Sequence, residues 1–446
     1  MKKRPVCCCT SATSIHLTIL VLLLFTLSAC SDYDEQVGTT TVAVALTFPE
    51  GTEGSKENIR VELKSIGREA IFVDSTDARG IATFNVTPGI YEASASTTHQ
   101  LGTNSLLILN ATSGQIVLRE QAQTVSLTLQ ASRISPLVIK ELYNGGVLKD
   151  DGKNFQADKC FILYNNSSTT LSLDNLCVAM AAPYNSQANN TWYGPDGKLL
   201  YEAQGYIPAL DGIWFFPSTL TIAPYSQVVV NVHGAIDNTL TYPQSVNYAN
   251  ADYYCMFDPE AGYTNTSYYP TPADVIPTAH YLKAVKMGIA NAWALSVTSP
   301  AMFLFRTQEV TPREFATNVS NMVYTPGAAQ TDINKAARVP VDWILDGIEV
   351  FSAAHTTSNL KRLSPTVDAG SVSLTNQHGH SLYRNVDKTA TEALPENEGR
   401  LVYGYDADPS GIDAEASLKQ GAHIVYQDTN NSSNDFHQRQ QCSLKD

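Results

Sequence analysis

The chain has 446 residues, 43 Asp and Glu against 29 Lys and Arg, and a formal charge of −14. An acidic chain without a basic block has little to offer a phosphate backbone, which excludes nucleic acid as a partner. The length exceeds one ordinary hydrophobic core, and Gly and Pro recur with no repeat period that would mark a solenoid.

Residues 1–29 read as a leader. Lys2, Lys3 and Arg4 form a positive start, an apolar run from Ile15 to Leu27 follows, and Leu27-Ser28-Ala29-Cys30 closes it. Small residues before a cysteine at the end of such a run have the form of a bacterial lipobox, with Cys30 as the acylated first residue of the mature chain. Loss of the leader removes three positive charges and takes the formal charge from −14 to −17. Residues 30–37 follow as an acidic tether. Ser31, Asp32, Asp34 and Glu35 resemble the surface-export signal of Bacteroidetes lipoproteins, a serine followed by Asp or Glu, with Tyr33 interrupting the run. The resemblance implies a lipid-anchored protein of the outer membrane facing the extracellular side.

From residue 38 the pattern is that of short strands. Thr39 to Phe48 alternates apolar and polar residues, as do Asn58 to Ile66 and Ile81 to Val86. Ala70 to Val73, Ile90 to Ser96, Leu106 to Leu109 and Val125 to Leu129 bring the number to about seven, with turn residues between them, which predicts a β-sandwich over 38–134. The run Thr76-Asp77-Ala78-Arg79-Gly80-Ile81-Ala82-Thr83-Phe84, with Pro88-Gly89-Ile90-Tyr91, resembles carboxypeptidase regulatory-like (prealbumin-like) domains. That resemblance implies a spacer or docking module without catalytic residues.

Ser135-Pro136 marks a boundary, and a second all-β, immunoglobulin-like sandwich is expected over 135–446. Leu137 to Tyr143, Lys159 to Tyr164 with Asn165-Asn166-Ser167-Ser168, and Leu171 to Leu176 resemble the opening of lamin-tail domains; Leu163 stands where that family commonly has Glu. Ile213 to Phe216, Val228 to Val232 and Val341 to Glu349 supply further strands. Leu282, Val285 and Ile289 recur at helical spacing and predict one short helix between His280 and Ala292. The runs around Lys361-Arg362-Leu363, Gly379 to Arg384 and Asp428 to Phe436 resemble an uncharacterised family of Bacteroidetes lipoproteins with the same two-part organisation. It implies fold and location, and no activity.

Four cysteines remain after the leader and Cys30: Cys160, Cys177, Cys255 and Cys442. Their spacing fits no metal knuckle. Cys160 and Cys177 flank one hairpin-like unit, where a disulfide and two buried thiols are both consistent with export. Asp428, Asn430 and Asp435 lie in an oxygen-rich run that suits Ca2+, the one cofactor the sequence offers. A turn closed by Asn, Asp and Ser side chains is the stronger reading. His378-Gly379-His380 fits a metal pair or, with its central Gly, a hairpin turn.

The candidate binding region is 184–281, which holds 13 of the 22 tyrosines, with two long irregular stretches at Tyr184 to Leu210 and Asn238 to Pro277. Trp192, Tyr193, Tyr253, Tyr254, Tyr268 and Tyr269 would either form an aromatic surface for a glycan, a peptide or a protein partner, or build a small core beneath the loops. No Gly-x-Ser-x-Gly elbow, His-Glu-x-x-His pair, P-loop or dinucleotide fingerprint occurs. The expectation is a non-enzymatic binding or accessory protein, with an outer-membrane receptor or transporter such as a TonB-dependent system as partner. The alternative is a surface hydrolase of glycans or peptides using carboxylates from the same loops.

Overall fold

A computed structural model describes residues 38–49, 55–66, 68, 70–101, 105–133, 135–187, 189–376 and 378–445. The leader, Cys30 and the acidic tether lie outside the described residues. The chain is all-β, with sheets packed face to face and short helices between them.

Two sheets form the N-terminal unit. One has the order Ile81–Val86, Thr40–Thr47, Gln123–Thr128; the other runs Ile71–Ser75, Arg60–Ser65, Gly89–Leu101, Ser105–Thr112, Gln130–Arg133. A short strand, Ile116–Leu118, pairs with the start of Gly89–Leu101. The alternation in the sequence is realised: Val42, Val44 and Leu46, with Phe84 and Leu127 of the same sheet, share one core with Val61, Leu63 and Tyr91 of the other. Nine strands appear among the described residues of this unit where about seven were expected, because Ile116–Leu118 and Gln130–Arg133 are too short to show a period.

Most of the remaining strands build two six-stranded sheets. The first has the order Tyr254–Cys255, Gln227–His233, Lys159–Asn165, Leu137–Tyr143, Ser381–Arg384, Phe436–Arg439. The second has the order Lys283–Lys286, Gly212–Phe215, Leu176–Met180, Ala301–Arg306, Ile344–Ser352, Val372–Leu374. Their facing side chains, among them Ile139, Phe161, Val178, Trp214, Val230, Leu304 and Ile348, form the largest core. Both sheets are covered on their outer faces as well. A three-stranded sheet, Tyr206–Ala209, Lys335–Pro340 and Met322–Tyr324, closes a second core over Phe303, Phe305 and Ala179. On the first sheet, Val138 packs with Tyr164, Tyr383, Ile424 and Tyr426 in a separate cluster, and strand Leu137–Tyr143 is buried at every residue, including Lys140 and Glu141.

Residues 280–292 form strand and turn where a helix was predicted. A single 3-10 turn, Thr278–His280, leads into edge strand Lys283–Lys286, which pairs with Gly212–Phe215. Leu282 and Ala284 enter the main core and Val285 packs on the opposite face, a period of two that the helical spacing concealed. Ile289, the third residue of the supposed helical stripe, is 68% exposed.

Candidate functional site

Of the aromatic candidates, Trp192 is buried and the five tyrosines are half-buried. Trp192 is buried with Leu199, Tyr201 and Tyr206 in the second core, its ring edge-on to Tyr201 at 5.6 Å. Tyr193 packs at the margin of that core and donates its hydroxyl to the Lys361 carbonyl at 3.1 Å. Tyr269 lies against Trp214 and Tyr263 and accepts from the Trp293 amide at 2.9 Å. Tyr268 and Tyr269 stand edge-on to buried His233, whose charge burial disfavours. Tyr254 stacks on His280 at 4.2 Å, and Tyr253 packs against the buried cluster of Tyr143, Cys160, Tyr248 and Cys442. The six do not form one exposed patch. They are distributed over several clusters.

The cysteines correct the pairing expectation. Cys160 and Cys177 are free and lie in different six-stranded sheets, because Lys159–Asn165 and Leu176–Met180 separate into opposite layers. The sulfur that faces Cys160 is that of Cys442, at 3.9 Å. Cys177 donates to the Asn175 carbonyl at 3.4 Å.

Asp428, Asn430 and Asp435 belong to a junction, and their oxygens are already engaged. Asp435 accepts from the Thr429 and Asn431 amides at 2.9 and 3.1 Å, and Asn431 caps the one-turn helix Ser432–Asp435. Asn430 takes a left-handed backbone, φ 50°, at the corner. Arg384, wholly buried, bonds Asp346 at 2.5 Å and lies 3.4 Å from Asp428 and 3.7 Å from Asp435. The guanidinium thus sits among the carboxylates where the calcium reading had the ion. Burial drives these acids upward, Asp346 to about 7 and Asp428 and Asp435 to about 6, while the Arg384 charge opposes the rise. Among the described residues no group of three or more His, Cys, Asp and Glu side chains is disposed to hold a metal ion. The His378 and His380 rings stack at 5.4 Å across Gly379, which has φ 71°, as the turn reading expects.

The same loop seats the N-terminal unit. Ser94 donates to Asn434 at 3.0 Å, Asn431 donates to Thr112 at 2.8 Å, and Asn110 donates to the carbonyls of Thr429 and Asn430. Ser433 donates to Glu92 at 3.3 Å, and burial raises that carboxyl above its usual range. Gly370 lies directly beneath, where a Cβ would overlap the Asn431 side-chain oxygen.

An open cleft of about 480 Å3 lies elsewhere, on residues 392–403, and nothing in the sequence singled it out. Helix Lys388–Glu392, capped by Asp387, leads into the 3-10 turn Pro395–Asn397. Buried Asn397 pins that turn by donating to the Thr391 and His423 carbonyls at 2.8 and 2.7 Å. Tyr403 lines the cleft and is 55% exposed, its hydroxyl held by Glu392 at 3.0 Å and the Lys388 ammonium 6.0 Å from the ring centre. The run Leu394-Pro395-Glu396-Asn397-Glu398-Gly399 reads as an ordinary loop, and only a clustering of turn residues marks it.

An all-β chain of stacked sandwiches, carrying a solvent-open cleft and charged groups that brace its interior, is the class that the geometry defines. Residues 223–443 match the family described as protein of unknown function DUF4876. The chain is similar to the crystal structure of a DUF4876 family protein from Bacteroides thetaiotaomicron, with a TM-score of 0.50 and 20% identity over 89% of this chain and 94% of that one. This is a likeness of fold. A candidate carbohydrate-binding protein from Pseudomonas aeruginosa aligns with 22% of this chain and 97% of its own at 18% identity and a TM-score of 0.17. A candidate adhesin from Bacteroides ovatus aligns with 78% of this chain and 97% of its own at 9% identity and a TM-score of 0.20. No curated protein matches the chain.

Proposed function

We propose that the protein is a lipid-anchored component of the outer-membrane surface with a non-enzymatic binding or accessory role. The observation that carries this reading is the use made of the buried carboxylates. Glu349 is paired with Arg362 at 2.7 Å and Asp346 with Arg384, while Glu141 accepts from Ser443 and Asp158 accepts from Tyr143 and Ser245. Asp368 accepts from Ser432 and the Glu349 amide, and Asp408 from the Val386 amide. These acids are donors' partners within the frame, and such groups hold a fold in place instead of turning over a substrate.

The remaining parts of the reading come from the sequence. Cys30 would carry the acyl chains, each buried CH2 contributing about 0.8 kcal/mol, so that several chains make the anchoring effectively permanent. Ser31, Asp32, Asp34 and Glu35 would direct export to the outer face. The seated N-terminal unit would hold the larger unit away from the lipid, and a transporter of the TonB-dependent kind is the partner we favour.

Cell fractionation and native purification test this. Cys30→Ser should release the protein from membranes, and replacing Asp32, Asp34 and Glu35 with Ala should protect it from protease added to whole cells. Affinity purification from detergent-solubilised outer membrane should recover an integral membrane partner. A triple variant that stays equally accessible overturns the export signal, and recovery of the protein alone overturns the accessory role.

A further inference from the structure

We propose that the cleft on residues 392–403 is a binding site for a neutral saccharide, with the Tyr403 ring as its platform. The inference rests on the binding role proposed above and names the ligand class and the site. Four features of the cleft support it.

The first is size: about 480 Å3 falls within the roughly 300–1,000 Å3 common for small-ligand sites. The second is the ring. The tyrosines of this chain that were expected at a surface are half-buried against other rings or core clusters, whereas Tyr403 is exposed in a concave setting beside Leu394, Pro395 and Leu401. An aromatic face next to aliphatic walls suits the C–H face of a pyranose, and it offers contact area at low entropy cost.

The third is fixation. The Tyr403 hydroxyl is held by Glu392 at 3.0 Å, and the chain leading into it is braced, Val402 by the Ser417 hydroxyl at 2.9 Å and Asn397 by three bonds to residues 391 and 423. A platform already held in place adds little ordering cost on binding. The fourth is charge. Glu392 and Glu398 line the cleft and can accept from hydroxyls, Lys388 stands over the ring, and Glu396 beyond them is engaged by His423 at 3.1 Å. Lys388 offsets one of the two lining carboxylates, which leaves the cleft a modest negative charge. A strongly anionic ligand would meet the two carboxylates, and a strongly cationic one would meet the Lys388 ammonium beside the ring. A neutral polyol gains from the acceptors, the donor and the ring together.

The test uses the full chain in detergent on an array of neutral and anionic glycans, followed by calorimetric titration of the best neutral glycan. Neutral glycans should bind. Tyr403→Ala should weaken binding at least tenfold, Tyr403→Phe should retain most of it, and Glu398→Ala should weaken it several-fold with an unchanged melting midpoint. The Glu398 variant keeps the test valid should Tyr403→Ala fail to fold. Binding confined to anionic glycans, no glycan binding, or affinity indifferent to both substitutions would overturn the assignment. If no glycan binds while a membrane partner still co-purifies, the saccharide site falls and the accessory role stands; if neither is found, both fall.

Discussion

The stretches 184–281 and 388–403 use the same vocabulary of tyrosines, acids and turn residues, and the fold treats them in opposite ways. In the first, Trp192 is buried and Tyr263 and Tyr269 lie against Trp214 at ring-centre distances of 5.6 and 6.0 Å, so the rings supply the interior of loops too long to be stabilised by sheet hydrogen bonds. In the second, the loop is fixed by polar side chains, Asn397 and Ser417, and its one tyrosine ring is left in solvent. Aromatic density therefore reports how much interior a loop has to build for itself. A lone aromatic on a loop that is braced by other means is the better indicator of a surface role.

The largest effect should come from the packed side of this comparison. Trp192→Ala removes a buried indole from a core shared with Leu199, Tyr201 and Tyr206, and should cost about 3–5 kcal/mol. Thermal unfolding would show a drop in midpoint of several degrees; an unchanged midpoint would return Trp192 to the surface reading. Next is the seat of the N-terminal unit. Gly370→Ala places a methyl group against Asn431 and Ser433 and should cost about 1–3 kcal/mol. Hydrogen exchange should rise selectively at residues 92–94 and 110–112; uniform protection would show that the seat tolerates the group.

The acids around Arg384 should give the fold an unusual response to pH. Their folded pKa values are raised above the ordinary carboxylate value, to about 6 for Asp428 and Asp435 and about 7 for Asp346. The folded chain thus holds protons that the unfolded chain has released. The stability this contributes is complete below about pH 4 and is lost as the pH rises through about 6 to 7. Each tenfold difference in proton affinity between the folded and unfolded chain is worth roughly 1.4 kcal/mol. Denaturant midpoints should fall from pH 5 to pH 7.5, and Asp346→Asn should flatten that slope even though it weakens the pairing with Arg384. A midpoint that rises over the same interval would refute the account.

The smallest effect is predicted at the cleft. Tyr403→Ala should change stability by less than about 0.5 kcal/mol, because the ring is mostly in water and makes one exposed hydrogen bond. The contrast between Trp192 and Tyr403 in the same melting assay is the direct measure of the difference between the two stretches.

Several elements are legible in the residues themselves. The sequence pattern delimits strand Leu137–Tyr143 to the residue and Lys159–Asn165 and Gln227–His233 to within one, and the alternation of Thr40–Thr47 names its own buried face. Continuous apolar runs bounded by turn residues need no tertiary information to be strands, and strict alternation states which side is covered. The sequence by itself thus determined an all-β chain in two sets of strands. It could not decide Lys283–Lys286, an edge strand with one buried residue, where the period of two was hidden beneath a helical coincidence. Nor could it decide the cysteines: whether Cys160 meets Cys177 or Cys442 depends on which layer each strand joins. The tertiary structure alone decided that the Asp428 to Phe436 turn is a seat for the first unit with Arg384 at its centre. It alone decided that Trp192 is buried, that the five candidate tyrosines of 184–281 are half-buried against other rings and core clusters, and that Tyr403 is exposed. The physical reason is common to all of these: burial, charge pairing and exposure are properties of a residue's neighbours in space, and those neighbours lie tens to hundreds of positions away along the chain.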